Sequence, residues 1–219
     1  MEIELKYTIP NEEVKKALWD NELYGQYEEK DSREEIFLHA KYFDTADGDL
    51  ARNEIAYRVR LEGNCPVATL KWKGHSEDGL HIREELNVPA DSDEPDPDIF
   101  RESSMGSQFA ELVKDKELIC IMETKIHRKM FRIDTGEGIY EFSIDTGEIK
   151  ADNGSVPVSE IEIELYSGET EELRMISEKL QKKYGLKAEN SSKYARGMEL
   201  INRQSVGRAD FDKEEENIK

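Results

Sequence analysis

The stretch MEIELKYTIP (residues 1–10) alternates Glu2, Glu4 and Lys6 with Ile3, Leu5 and Tyr7. A period of two puts the charged residues on one face of a β-strand and the apolar residues on the other. Most half-buried strands turn their polar face to water, so what this face looks at must be decided by the rest of the chain.

The pattern recurs. AYRVRLE sets Arg58 and Arg60 against Tyr57, Val59 and Leu61, and TLKWKG sets Lys71 and Lys73 against Leu70 and Trp72. HIREEL gives a weaker split, with Arg83 and Glu85 on one side. HRKMFRI carries Arg128 and Arg132, YEFSID carries Glu141, Ser143 and Asp145, and SEIEIEL carries Glu160, Glu162 and Glu164. In an ordinary solvent-facing sheet Lys and Glu intermix along each strand. Here the signs segregate: the first strand begins with two acids, the last is purely acidic, and the middle strands carry Arg and Lys in pairs. Paired arginines two residues apart repel one another unless an anion bridges them, which favours a binding surface.

A closed barrel gives such a surface its shape. With about eight strands closing charged-face-inward, the apolar faces point outward under covering helices, and the interior becomes a hydrated, charged tunnel. Guanidinium and ammonium groups can there converge on phosphate oxygens, while carboxylates hold a divalent metal. Hard oxygen ligands point to Mg²⁺ or Mn²⁺ over zinc. His39, His75, His81 and His127 show no zinc spacing and read as surface or packing residues.

The chain has 219 residues, 37% hydrophobic and 37% charged, enough for one sizeable core. No apolar run approaches the roughly 20 residues of a membrane span, and the first residues lack the basic-then-apolar order of a signal peptide. A cytoplasmic protein is expected. Cys65 and Cys120 suggest no disulfide framework. A net charge of −19 disfavours nucleic acid and anionic membrane as partners. Much of that charge sits in the Pro-broken loop ADSDEPDPD (90–98) and in DKEEENIK (212–219), read as a solvated tail.

Helices are expected at EEVKKALW with Asn11 as N-cap, over Ser107 to Val113, at GETEELRMISEKLQKKYGL with Gly185 as C-cap, and at SSKYARGMELI. The stretches DTGEG (134–138) and DTGE (145–148) are expected as turns, and Asp44 as a turn or hydrogen-bonding residue. The order is α+β with a large antiparallel sheet.

The residues so assembled resemble the CYTH domain proteins, or triphosphate tunnel metalloenzymes. Glu2, Glu4 and Lys6 are similar to the E-x-E-x-K signature of that family. KYFDT with LARNEIAYRVR, TLKWKG with GLHIREEL, EFSIDTGEI, SEIEIEL and SSKYARG resemble its later segments in order. The likeness covers residues 1–201, leaving 202–219 as an acidic tail. It implies an eight-stranded antiparallel closed barrel with a charged interior and helices packed outside. It also implies metal-dependent hydrolysis of a triphosphate, with inorganic triphosphate the leading substrate and Glu4, Lys6, Arg58 and Arg60 central to catalysis. Lys6, Arg58, Arg60, Lys71, Lys73, Arg83, Arg128, Arg132 and Lys193 are implied on the substrate; Glu2, Glu4, Glu85, Asp145, Glu160 and Glu162 are implied on Mg²⁺ or Mn²⁺. Glu164 is placed beyond the metal cluster. A class IV adenylate cyclase, a thiamine triphosphatase and a non-catalytic triphosphate binder stay open as alternatives, as does a homodimer.

Overall fold

The computed structural model describes residues 1–202. Eight strands form its frame: β1 (Glu2–Thr8), β2 (Glu34–Thr45), β3 (Ala56–Glu62), β4 (Cys65–Glu77), β5 (Leu80–Pro89), β6 (Leu118–Asp134), β7 (Ile139–Ala151) and β8 (Gly154–Ser167). They pair antiparallel in the order β5-β4-β3-β2-β6-β7-β8-β1, and β1 returns to pair with β5. The sheet is therefore closed. β1 is the closing stave, with Lys6 opposite Glu162 of β8 and Glu2 opposite Arg83 of β5. A two-residue strand, β9 (Lys187–Ala188), pairs with the end of β1.

Helices α1 (Glu12–Asp20), α2 (Asp49–Arg52), α3 (Ser104–Leu112) and α4 (Thr170–Tyr184) are joined by a fifth, α5, over residues 193–202. Their ends follow the local chemistry. Asn11 Oδ1 accepts the Val14 N–H at 2.9 Å to start α1, and Gly185, at φ +64°, closes α4 in the left-handed conformation that glycine adopts freely. α3 begins three residues before the expected Ser107 because Ser103 caps it, its Oγ accepting the Gly106 N–H at 2.8 Å. Asp44 is a hydrogen-bonding residue: its carboxylate accepts the N–H groups of Thr45, Leu50 and Ala51 and so holds α2 against β2.

Much of the outward surface is apolar and covered by helices, while the outer faces of β2 and β6, with Glu35, Phe37 and Lys125, stay exposed. Leu5, Phe131, Phe142, Ile144, Ile161 and Ile163 pack with Leu18 of α1 and Leu173, Ile176 and Leu180 of α4. Tyr57, Val59, Ala68 and Leu70 pack under α2 and α3, where Phe109 meets Tyr57 edge-on at 5.0 Å. Each fully buried Phe, Ile or Leu in these layers contributes about 1.5–3 kcal/mol of transfer free energy.

Two expectations change. DTGE (145–148) is no turn, because β7 runs straight through it and turns only after Ala151. Gly147 lies so close to β6 that a Cβ there would collide with the Lys125 carbonyl, so this glycine serves strand contact. The interior is also not charged all round. Leu38, Ala40 and Tyr42 of β2 and Met122 and Ile126 of β6 join Ile149 and Val158 in an apolar cluster, against which Tyr194, Leu200 and Ile201 of α5 pack. Residues 203–219, and with them nearly all of the expected tail, lie outside the described residues. Among the described residues no helix is long and apolar enough to cross a membrane.

Candidate functional site

The bore encloses a cavity of about 470 Å³ lined by charged residues from β1, β3, β4, β5, β6, β7, β8 and α5, with an apolar sector on β2 and β6. Period two explains the charged lining: Glu2, Glu4 and Lys6, then Arg58 and Arg60, then Glu162 and Glu164 all fall on inward positions of their strands. Lys193 reaches the same space from α5.

Three groups can be distinguished. In the first, Asp145, Glu160 and Glu162 each bring a carboxylate oxygen within 4.8 Å of the others. Their oxygens already hold cations. Lys193 Nζ stands among all three, 2.7 Å from Asp145 and 2.8 Å from Glu162, and also pairs with Glu160. Arg128 grips Asp145 with two hydrogen bonds of 2.7 and 2.8 Å and Glu162 with a third; Lys6 meets Glu162 at 2.7 Å, and Arg196 binds Glu160. Against the upward push of burial, Lys193, Lys6 and Arg128 hold Glu162 well below the usual carboxylate range. Burial opposes the charge of Lys193 as well, yet the three acids keep it well above the usual lysine value.

In the second group acids gather beside too few cations. Glu2 pairs with Lys71 at 2.7 Å and Arg83 at 3.1 Å, and Glu4 meets Arg83 at 3.2 Å and Lys6 at 3.4 Å. Glu164 sits directly across from Glu4 in the β1–β8 register and across from Glu141 in the β7–β8 register. It forms no ion pair among the described residues. Burial, together with the charges of Glu2, Glu4, Glu141 and Glu85, pushes it up to about 8. Glu85 behaves in the opposite way: despite burial, Lys71 at 2.7 Å and Arg58 draw it down to about 2.

The third group is cationic. Arg58 forms no ion pair among the described residues, and its Nε is buried without a hydrogen-bond partner. Among the described residues Arg60 pairs with Glu62 of its own strand alone, and burial plus repulsion by Arg58 and Arg128 lower its pKa. A half-buried guanidinium with an orphan donor beside a second guanidinium offers an anion both charge and hydrogen-bonding capacity.

Of the residues expected on the substrate, Lys6, Arg58, Arg60, Lys71, Arg83, Arg128 and Lys193 line the cavity. Lys73 does not. It lies in a bulge of β4 between Trp72 and His75, at φ +52°, and is exposed because the bulge breaks the alternation that would have turned it inward. Arg132 follows Arg128 on β6 but lies beyond Met130, exposed and paired with Glu29 at 3.4 Å. Of the expected acids, Glu2, Glu4, Glu85, Asp145 and Glu162 line the cavity, while Glu160 is fully buried behind Lys193 and Arg196. Glu164, set beyond the metal cluster from the sequence, is the acid most in need of a cation. Its place on the same alternating face as Glu160 and Glu162 was the available signal. Arg196, three residues after Lys193 on one helical face, was legible in the same way.

A closed antiparallel barrel with helices outside, acids and bases segregated within, and an orphaned arginine facing the cavity defines a class of tunnel protein with a charged bore. The chain belongs to the CYTH domain family, whose model matches residues 1–198. The inorganic triphosphatase of Haemophilus influenzae is 30% identical over 174 residues, 77% of this chain and 47% of that protein. The chain thus spans about half the length of the curated relative it matches. Among solved structures, a proposed adenylyl cyclase from Hippeastrum with a dominant triphosphatase activity superposes with a TM-score of 0.62 at 24% identity, covering 91% of this chain and 96% of that one. The PH1819 protein of Pyrococcus horikoshii superposes with a TM-score of 0.55 at 19% identity, covering 91% of this chain and 99% of that one. These two likenesses concern the fold, an eight-stranded closed barrel.

Proposed function

We propose that the protein hydrolyses a small linear triphosphate, inorganic triphosphate first among the candidates, with the help of a divalent cation. The observation that carries this reading is the pair Arg58 and Arg60: two half-buried guanidiniums, one with an unused donor, facing a cavity whose other cations stand on separate strands. Cations spread over β1, β3, β4, β5, β6 and α5 suit a chain of phosphates better than a single one. The relationship to the Haemophilus inorganic triphosphatase supports the same substrate.

The acids fit a divalent cation. Glu2, Glu4 and Glu164 offer hard oxygen donors, and the raised pKa of Glu164 marks a local shortage of positive charge. An ion at Asp145, Glu160 and Glu162 would have to displace the Lys193 ammonium from among them. Mg²⁺ or Mn²⁺, when bound, supplies charge stabilisation for the transferring phosphoryl group and lowers the pKa of a coordinated water. The chain's own part is to hold the phosphate chain: Arg58 and Arg60 bind and straighten it, Arg128 stays fixed by Asp145 and Glu162 so that its guanidinium needs no reorganisation, and the closed wall limits bulk water.

The test is product analysis. The protein is incubated with Mg²⁺ and, separately, inorganic triphosphate, ATP and thiamine triphosphate, and phosphate, pyrophosphate and cyclic AMP are quantified. Phosphate and pyrophosphate from triphosphate, at a higher kcat/KM than from either organic ester, is the expected result. Conversion of ATP to cyclic AMP and pyrophosphate as the main reaction would replace this function; the apolar wall of Ile36, Leu38, Ile126 and Met130 is the surface on which an adenosine would then rest.

A further inference from the structure

His81 lies inside the barrel, 1% exposed, on the same face of β5 as Arg83 and Glu85 and directly across from Glu4 in the β1–β5 register. Both of its ring nitrogens are engaged. Nε2 is 2.7 Å from the Glu189 carbonyl oxygen. A carbonyl only accepts, so Nε2 carries the hydrogen. In the neutral ring Nδ1 is then the acceptor, and it faces two donors: the Ser76 hydroxyl at 2.8 Å and Arg83 Nη2 at 3.0 Å. The same Nη2 also donates to Glu4 Oε1 at 3.2 Å, while Arg83 Nε faces Glu2 Oε2 at 3.1 Å.

We infer that His81 is a positioning residue for the tunnel: through its Nδ1 lone pair it fixes the guanidinium of Arg83 between Glu2 and Glu4, and through Nε2–H it ties that guanidinium to the segment leading into α5. The second tie is supported by its neighbours. The Glu189 N–H donates to the Lys6 carbonyl at 3.0 Å, Asn190 Oδ1 accepts the Gly79 N–H at 2.7 Å, and Glu189 lies 3.9 Å from Arg196 of α5. The Nδ1 contact requires the ring to be neutral, because an imidazolium would point N–H at a guanidinium. Burial first, then the charge of Lys6, lowers the pKa of His81 against the opposing pull of Glu4 and the Glu189 carbonyl. A free Arg83 would have several rotamers; held by His81, it presents its remaining edge to the cavity at no further ordering cost.

The inference rests on the triphosphatase reading, and the experiment separates the two. His81→Gln can place its amide N–H where Nε2–H stood and keep the Glu189 bond, but has no acceptor at the Nδ1 position. His81→Asn can place its amide oxygen near Nδ1 and keep the Arg83 bond while losing the Glu189 one. Turnover of triphosphate, its Kd by calorimetry and Tm are measured for both, alone and in an Arg83→Met background. The expected result is a kcat/KM loss of roughly tenfold or more for His81→Gln, as for other hydrogen bonds to a charged group, and no more than about threefold for His81→Asn. In the Arg83→Met background, His81→Gln should add less than about twofold. Equal losses for Gln and Asn, or an undiminished His81→Gln effect without Arg83, would reduce His81 to a packing residue and overturn the inference while leaving the function intact. A wild-type protein that neither binds nor turns over triphosphate would overturn both.

Discussion

Asp145, Glu160 and Glu162 share one end of the bore with Lys193, Arg128, Lys6 and Arg196, whereas Glu164 stands among Glu2, Glu4, Glu141 and Glu85 with no cation of its own among the described residues. Both groups come from the same kind of alternating strand, and both are largely removed from water. The first has folded around its own counter-ions, so Asp145 and Glu162 are depressed; the second has been left short of positive charge, so its central acid is pushed up to about 8. The difference teaches that proximity of carboxylates does not by itself mark a vacancy for metal. What matters is the charge remaining after the protein's own cations are counted.

The sharpest way to break this contrast is Lys193→Met. Removing one partner of a buried ionic cluster costs about 3–5 kcal/mol, which for a chain of this size lowers Tm by on the order of 10 °C. A melt within a couple of degrees of wild type would show that Asp145, Glu160 and Glu162 do not depend on Lys193. Arg60→Ala should behave differently, because Arg60 is repelled by Arg58 and Arg128. Turnover of triphosphate should fall about 100-fold, or roughly 3 kcal/mol, while Tm stays level or rises; parallel kinetics and calorimetry check both halves.

Glu164→Gln comes next. Its folded pKa lies above that of an unfolded glutamate, so between pH 4.5 and about 8 the folded state binds the extra proton and stability falls as pH rises. The metal-free wild type should therefore lose a few degrees of Tm across that window, and Mg²⁺ should restore them. In Glu164→Gln the slope should flatten and the half-saturating Mg²⁺ for activity rise several-fold. The smallest effect is expected at Lys73, exposed on its bulge: Lys73→Ala should keep kcat/KM within about twofold. A larger loss would place Lys73 on the substrate after all.

The barrel was legible in the sequence because its signal is a simple period: MEIELKY, AYRVRLE and SEIEIEL each declare which side chains share a face. Three things escaped that reading. The bulge in β4 shifts the period by local backbone geometry, so Lys73 lost its place without any change in residue pattern. β2 has Leu38, Ala40 and Tyr42 on its inner face and Phe37 on its outer one, 73% exposed, so apolarity alone pointed both ways. Pairing among acids and bases was invisible for a third reason. That Glu85 is paired with Lys71 while Glu164 has no ion pair among the described residues depends on register between strands, and register is a property of the closed sheet.

The closing stave also sets a schedule. β1 carries Glu2, Glu4 and Lys6 and precedes every other strand in the chain, yet its partners come late: Glu4 and Arg83 are 79 residues apart, and Ile9 meets Ser159 across 150. Contacts of such sequence separation are slow to form, because a large loop must be closed before they give any return. During synthesis β1 must wait, its apolar face of Ile3, Leu5 and Tyr7 uncovered, until β8 and α4 have been made. Until β1 pairs with both β5 and β8 the sheet stays open and the bore lacks Glu2, Glu4 and Lys6, whereas the ion pairs of Asp145 and Glu162 with Arg128 and Lys193 need no residue of β1.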